Sequence, residues 1–201
     1  MAGMAFDGRN LWVIDATWPW RLFCHKKTST LPVLATVDTS ALPQTLNTGL
    51  TFDGKRLWAN DSGGRVICCL NIPPFQVASI IKTIGPPPTA SNLYGLTFDG
   101  KHLIVSQGWD GVGRPISWVN PQTSRYIDSF YIVANPGTND LAFDGKYLWE
   151  VSNPNNRIYC VNLRSRTEIT NFAFAAPMGI TFDGKYLWIC DDTNIYCVEK
   201  S

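Results

Sequence analysis

At 201 residues and 22.4 kDa the chain fits one domain, or at most two small ones, and is long enough to bury a core without staples. Seventeen Lys and Arg against sixteen Asp and Glu leave a formal charge of +1, which argues against a dedicated nucleic-acid or polybasic membrane binder. An apolar share of 45% with only 16% charged argues against disorder, and eight Trp, thirteen Pro and sixteen Gly predict aromatic strands broken by frequent turns.

No apolar run reaches the length of a membrane helix, so no membrane insertion is expected. The opening residues, MAGMAFDGRNLWVID, lack a basic start, an apolar stretch and a small-residue cleavage site, so no secretory signal is expected either. Location is left open between the cytoplasm and a virion or other assembly.

In chain order, MAFDGRNLWVID at 4–15 opens a unit that returns as LTFDGKRLWAND at 50–61, LTFDGKHLIVSQ at 96–107, LAFDGKYLWEVS at 141–152 and ITFDGKYLWICD at 180–191. Phe6, Phe52, Phe98, Phe143 and Phe182 mark the register, spaced by 46, 46, 45 and 39 residues. Asp-Gly between two apolar runs is a strong hairpin signal, predicting a tight turn with positive φ at both tip positions. The runs on either side, such as 50–52 and 57–59, are then antiparallel strands. A third strand follows in each unit, at 65–71, 157–162 and 194–199 for example. A fourth follows in most, at 77–84, 126–130 and 168–172. Four short strands per 40–46 residues is the period of a β-propeller blade. The prediction is an all-β, five-bladed propeller in one domain spanning 1–201, with blades near 1–46, 47–92, 93–138, 139–177 and 178–201.

The segment Gly49-Leu50-Thr51-Phe52-Asp53-Gly54-Lys55-Arg56-Leu57-Trp58 resembles the blade motif of NHL-like and lyase-like β-propellers, and the resemblance extends through all five repeats. It implies the fold. For function it implies little, because that family spans lyases, lactonase relatives, cyclotransferases and non-catalytic binding scaffolds.

The repeat alignment assigns Trp12, Trp58, Trp149 and Trp188 to one column of inter-blade core, with Ile104 in the same slot of the third blade. Cys24, Cys69, Cys160 and Cys197 form another column, with Trp118 in the third blade; Cys68 and Cys190 lie off it. Equivalent positions on different blades are too far apart for disulfides, and no CxxC pair seeds a metal site. The cysteines are therefore expected to be mostly reduced, buried and inert. The sequence stops just after the third strand of the last blade, which predicts a three-stranded fifth blade and about nineteen strands. Its edge, Ile195, Tyr196, Cys197 and Val198, is a candidate for self-association, with Glu199 and Lys200 as charges that would protect it.

On the turn face, Arg9, Lys55, Lys101, Lys146 and Lys185 each follow an Asp-Gly aspartate and read as charge-compensated turns. The opposite, loop face carries the departures from the repeat, which folding does not explain. These are Trp18, Trp20 and Arg21 in the first loop, Trp109 and Asp110 in the third, and Asp140 where other blades have Gly49, Gly95 and Gly179. Trp beside Asp and Arg is the composition of protein-contact or carbohydrate-stacking surfaces, so these six are the candidate ligand-binding residues. Asp15, Asp61 and Asp191 end second strands while Arg21, Arg65, Arg114 and Arg157 open third strands, predicting local Asp–Arg closure of each hairpin; a hard-cation site is the weaker alternative. With two His, His25 and His102, and no catalytic motif, no catalytic residue, metal or cofactor is assigned. The reading is a non-catalytic binding or assembly module for a protein or glycan, including a subunit of a virion or appendage. The alternative is a small metal-assisted lyase or hydrolase at the channel mouth.

Overall fold

A computed structural model describes residues 1–15, 17, 20–40, 42–43, 45–63, 65–71, 79–85, 92–108, 114–132 and 137–200. The protein is an all-β, five-bladed propeller whose last blade has three strands. Blade one comprises β1 (Met4–Phe6), β2 (Asn10–Asp15), β3 (Arg21–Lys26) and β4 (Val33–Asp38). Blade two comprises β5 (Leu50–Phe52), β6 (Leu57–Asp61), β7 (Val66–Asn71) and β8 (Ser79–Ile84). Blade three comprises β9 (Leu93–Phe98), β10 (Leu103–Gln107), β11 (Pro115–Asn120) and β12 (Arg125–Tyr131). Blade four comprises β13 (Asp140–Phe143), β14 (Leu148–Ser152), β15 (Arg157–Asn162) and β16 (Thr167–Ala173), and blade five β17 (Gly179–Phe182), β18 (Tyr186–Cys190) and β19 (Ile195–Glu199). Within each blade, consecutive strands pair antiparallel from the innermost outward.

The second strands of blades two, three and four are buried along their whole length, because they pack against a neighbouring blade on both faces. Apolar side chains from adjacent blades meet in separate clusters. One joins Ile14, Leu22 and Val37 of blade one to Leu57, Cys68 and Leu70 of blade two. All six cysteines are free thiols, and only Cys197 is exposed, which corrects the expectation of burial for that member of the column. Burial pushes the Cys68 thiol up to about 12 and the Cys160 thiol up to about 11, so they stay protonated and unreactive.

The Phe-Asp-Gly turns differ in detail from the sequence expectation. Only the glycine of each turn has positive φ, 91° at Gly54 for instance, and the aspartate closes the turn with its side chain instead. Asp53 Oδ1 accepts the backbone N–H groups of Lys55 at 2.8 Å and Arg56 at 2.7 Å, while Oδ2 accepts the indole N–H of Trp58 at 2.7 Å. The same bracket holds Trp12, Trp149 and Trp188 through Asp7, Asp144 and Asp183. In blade three, where Ile104 cannot donate, Nδ1 of His102 approaches Asp99 at 3.5 Å. The column is therefore a hydrogen-bonded unit as well as an apolar one.

Two of the turn aspartates also take ion-pair partners from other blades. Lys27 of blade one reaches Asp183 of blade five at 2.8 Å, and Lys200 of blade five reaches Asp144 of blade four at 2.8 Å. The two ammonium groups also lie over the Phe6 and Phe182 rings, 4.7 and 4.8 Å from the centroids. The short last blade is thus tied to both neighbours, and Lys200 is engaged in that tie rather than standing guard on the sheet edge.

Burial alone would raise the Asp183 carboxyl, but Lys27, the Trp188 indole and the turn amides together bring it down to about 2. A depressed native value contributes stability above the ordinary 3.8 that is lost as pH falls through about 2. We expect Lys27→Met to be less stable than wild type at pH 6, and the gap to close as pH falls from about 4 to about 2. Urea melts across that range read it directly; a gap independent of pH would mean that Lys27 acts only through packing on Phe6.

Candidate functional site

The innermost strands converge on the propeller axis, where they must approach without side chains between them. A Cβ on Gly49 would lie within 3.0 Å of the backbone of Tyr94, Gly95 and Leu96, and one on Gly95 would strike the backbone of Asp140. Glycine therefore fills four of the five equivalent positions, and Asp140 fills the fifth. Its side chain goes to the axis and is fully buried, with 0% exposure. Oδ2 accepts the backbone N–H groups of Met4 at 3.1 Å and Ile180 at 3.0 Å, and Oδ1 accepts that of Leu96 at 3.4 Å. One carboxylate thus ties the inner strands of blades one, three and five to blade four. Burial pushes its pKa well above the usual carboxylate range, against the opposing pull of the amides from Ile180, Leu141, Met4 and Leu96. Two other polar residues serve the same inner strands: Asn60 Nδ2 donates to the Tyr94 carbonyl at 2.8 Å, and Ser106 Oγ accepts the Gly95 amide at 2.7 Å.

The other sequence-derived candidates lie elsewhere. Trp20 is half-buried at the loop before β3, and its carbonyl accepts both the backbone N–H and the hydroxyl of Thr39, at 3.2 and 2.8 Å. Arg21 is exposed, opposite Asp15 on one side of the ladder and Asp38 on the other. Trp18, Trp109 and Asp110 lie outside the described residues. Trp20 and Arg21 share a loop, whereas Asp140 is enclosed and shares no surface with them. Arg21 stands opposite Asp15 as the Asp–Arg pattern suggested, and blade five opens its third strand with Asn194 and offers Asp191 no such arginine; both aspartates also bond groups in their own loops. Asp15 accepts the backbone N–H and hydroxyl of Thr17, at 3.1 and 2.7 Å, and Asp191 accepts the backbone N–H groups of Thr193 and Asn194 and the Tyr196 hydroxyl. Among the described residues, no group of three or more His, Cys, Asp or Glu side chains is placed to hold a metal ion.

A cleft of about 810 Å³ opens on the rim between blades one and five. Phe23, Leu31 and Val33 of blade one face Ile195 of blade five across it, with Asp15, His25 and Asp192 among the polar groups at its walls. The Leu31 carbonyl lies 2.9 Å from His25 Nδ1 and can only accept, so that nitrogen carries the proton. Sequence reasoning missed these residues because Phe23 and Val33 sit at ordinary strand positions. The available signal was the three-stranded last blade, which lies next to blade one.

No family model and no curated protein sequence matches this chain. Solved structures do. Glutaminyl cyclase of Myxococcus xanthus superposes with a TM-score of 0.75 at 12% identity, covering 98% of this chain and 91% of that one. A chain of the nidogen/laminin complex gives 0.64 at 17% identity, covering 98% and 75%, and hydrazine synthase of Kuenenia stuttgartiensis gives 0.51 at 17%, covering 93% and 54%. At these identities the likeness establishes the β-propeller fold alone.

The axial arrangement yields a stability prediction. Asp140→Ala strands three buried amides, and each unpaired buried donor costs roughly 1–3 kcal/mol, so a loss of about 3 kcal/mol or more is expected in urea melts. Unchanged or increased stability would show that desolvation of the carboxylate outweighs its hydrogen bonds.

Proposed function

We propose that the chain is a non-catalytic binding module, a rigid disc whose loop face recognises a protein or a glycan. The sealed axis carries this reading. The channel mouth is where a lyase-like or lactonase-like propeller would hold its chemistry. Here the carboxylate at that position has no exposed surface, and both its oxygens are spent on backbone amides. The loop before β3 offers residue types that recognition of a polar ligand uses: a half-buried Trp20 and, next in sequence, an exposed Arg21. A propeller fold serves binding and catalysis alike, and the structures it resembles include both glutaminyl cyclase and a chain of the nidogen/laminin complex.

Two measurements test the reading together. A peptide with N-terminal glutamine should not be cyclised by the protein; turnover above background that Asp140→Asn abolishes would overturn the proposal in favour of an axial enzyme. On a glycan array and a protein array, binding should be weakened at least about tenfold by the double change Trp20→Ala with Arg21→Glu. Binding indifferent to both changes would remove the loop face from the account.

A further inference from the structure

The propeller sorts its charges by face. First and third strands of each blade end at one face, and second and fourth strands at the other, so the Asp-Gly turns share the turn face with the connections from third to fourth strands. Its hairpin tips carry Arg9, Lys55, Lys101, Lys146 and Lys185, each exposed next to an exposed turn glycine. Lys26, Arg56, Arg125 and Arg164 add exposed cations at the same end of the blades. The turn aspartates, by contrast, point inward. Each spends Oδ1 on two backbone N–H groups, as Asp7 and Asp99 do, and the Asp183 and Asp144 side chains are 1% and 0% exposed.

Pairing the charges one by one leaves a positive surplus on this face. Lys200 and Lys27 reach Asp144 and Asp183 from neighbouring blades, so the carboxylates nearest Lys146 and Lys185 already hold a counter-cation. Arg166 is matched by Asp128, and Lys82, on the Pro121 and Gln122 carbonyls, offsets Glu168 at the start of β16. The acids that remain are Asp7, Asp53, Asp99 and Glu199, and the exposed cations named above outnumber them. The formal charge of +1 hides this surplus, because Asp38, Asp140, Asp191 and Asp192 lie at the other end of the blades. The aromatic rings of the turn face are covered by ammonium groups: Lys146 and Lys185 each lie 4.6 Å from the centroids of Tyr147 and Tyr186, and Lys27 and Lys200 cover Phe6 and Phe182. Those rings are therefore not free to stack unpaired bases. A ring of tips around an axis also spreads charge over an area instead of along the track that a polymer backbone follows.

We propose that the turn face docks on the surface of an anionic lipid bilayer, held by charge and without insertion. A planar array of acidic headgroups matches a face that is cationic over its whole area, and each Lys or Arg brought within a Debye length of it adds a comparable increment of affinity. The tip residues reach the headgroups first, since the exposed turn glycines beside them place nothing larger in the way. Docked in this way the disc lies flat, and its loop face, with Trp20 and Arg21, points away from the bilayer. The inference stands independently of the loop-face reading, because the two faces are opposite ends of the blades.

The test is co-sedimentation of the full chain with phosphatidylcholine vesicles containing about 30% phosphatidylserine. Binding to these and not to pure phosphatidylcholine vesicles is expected, falling at least about tenfold between about 0.1 M and about 0.5 M salt. Lys55→Glu with Lys101→Glu should weaken it at least about tenfold. Only backbone groups of these two lysines bond the turn aspartates, so urea melts should be unchanged. If the reversed pair proves unstable, Lys55→Gln with Lys101→Gln carries the test, with a loss of at least about threefold. Arg21→Glu with Arg157→Glu makes the same change in net charge on the loop face and should leave vesicle binding as it is. Equal losses from the two reversed pairs would make net charge, not the turn face, responsible and would overturn the proposal, as would equal binding to uncharged vesicles. No binding to the acidic vesicles would also overturn it, and retention on heparin in that case would make the partner a linear polyanion. Loss of glycan or protein binding at the loop face with vesicle binding intact would count against that reading alone.

Discussion

Everything in this fold depends on how five inner strands meet at one axis. A strand at the centre of a ring has one edge with no ladder partner, so its amides and carbonyls must find acceptors and donors across the axis. The space is too tight for side chains at four of the five positions, which is why they are glycine. Asp140 takes the fifth and converts the problem into its solution: two oxygens collect amides from three other blades. Blade two joins through the backbone, its Gly49 amide donating to the Tyr94 carbonyl at 2.6 Å.

Outward from the axis, each blade repeats one bracket. The turn aspartate satisfies two backbone amides in every blade and, in all but blade three, an indole N–H as well, fixing the hairpin and orienting the tryptophan that fills the gap to the next blade. The inter-blade ties follow from the same geometry. Lys27 and Lys200 reach the turn aspartates of neighbouring blades, and Lys82 of blade two donates to the carbonyls of Pro121 and Gln122 in blade three. These contacts cross three of the junctions between blades, two of them flanking the three-stranded blade five.

The ring, the blade number and the short last blade were legible because the repeat prints the same physical requirement five times. The sequence marked Asp140 as a break in a glycine column, but a break does not say which way a side chain turns. Only the convergence of three amides from other blades puts the carboxylate on the axis. The turns misled in a smaller way: Asp-Gly suggested two residues at positive φ, whereas the aspartate caps the turn with its side chain and leaves the glycine as the one left-handed residue. Asp15 does stand opposite the strand-opening Arg21, but it also accepts the Thr17 amide and hydroxyl, and Asp191, in a blade whose third strand opens without an arginine, takes the Thr193 and Asn194 amides instead. Phe23, Leu31 and Val33 gave no signal of their own, since nothing in the repeat distinguishes them before the cleft between blades one and five is seen.

Native-state hydrogen exchange at the amides of Met4, Leu96 and Ile180 tests the central claim most directly. If one buried carboxylate joins these strands into a closed ring, the three amides should exchange only through global unfolding, with a common free energy equal to that from denaturant melts. Exchange of any of the three at markedly lower free energy than the rest of its blade would contradict the account, because it would mean the axis opens while the ring stays folded.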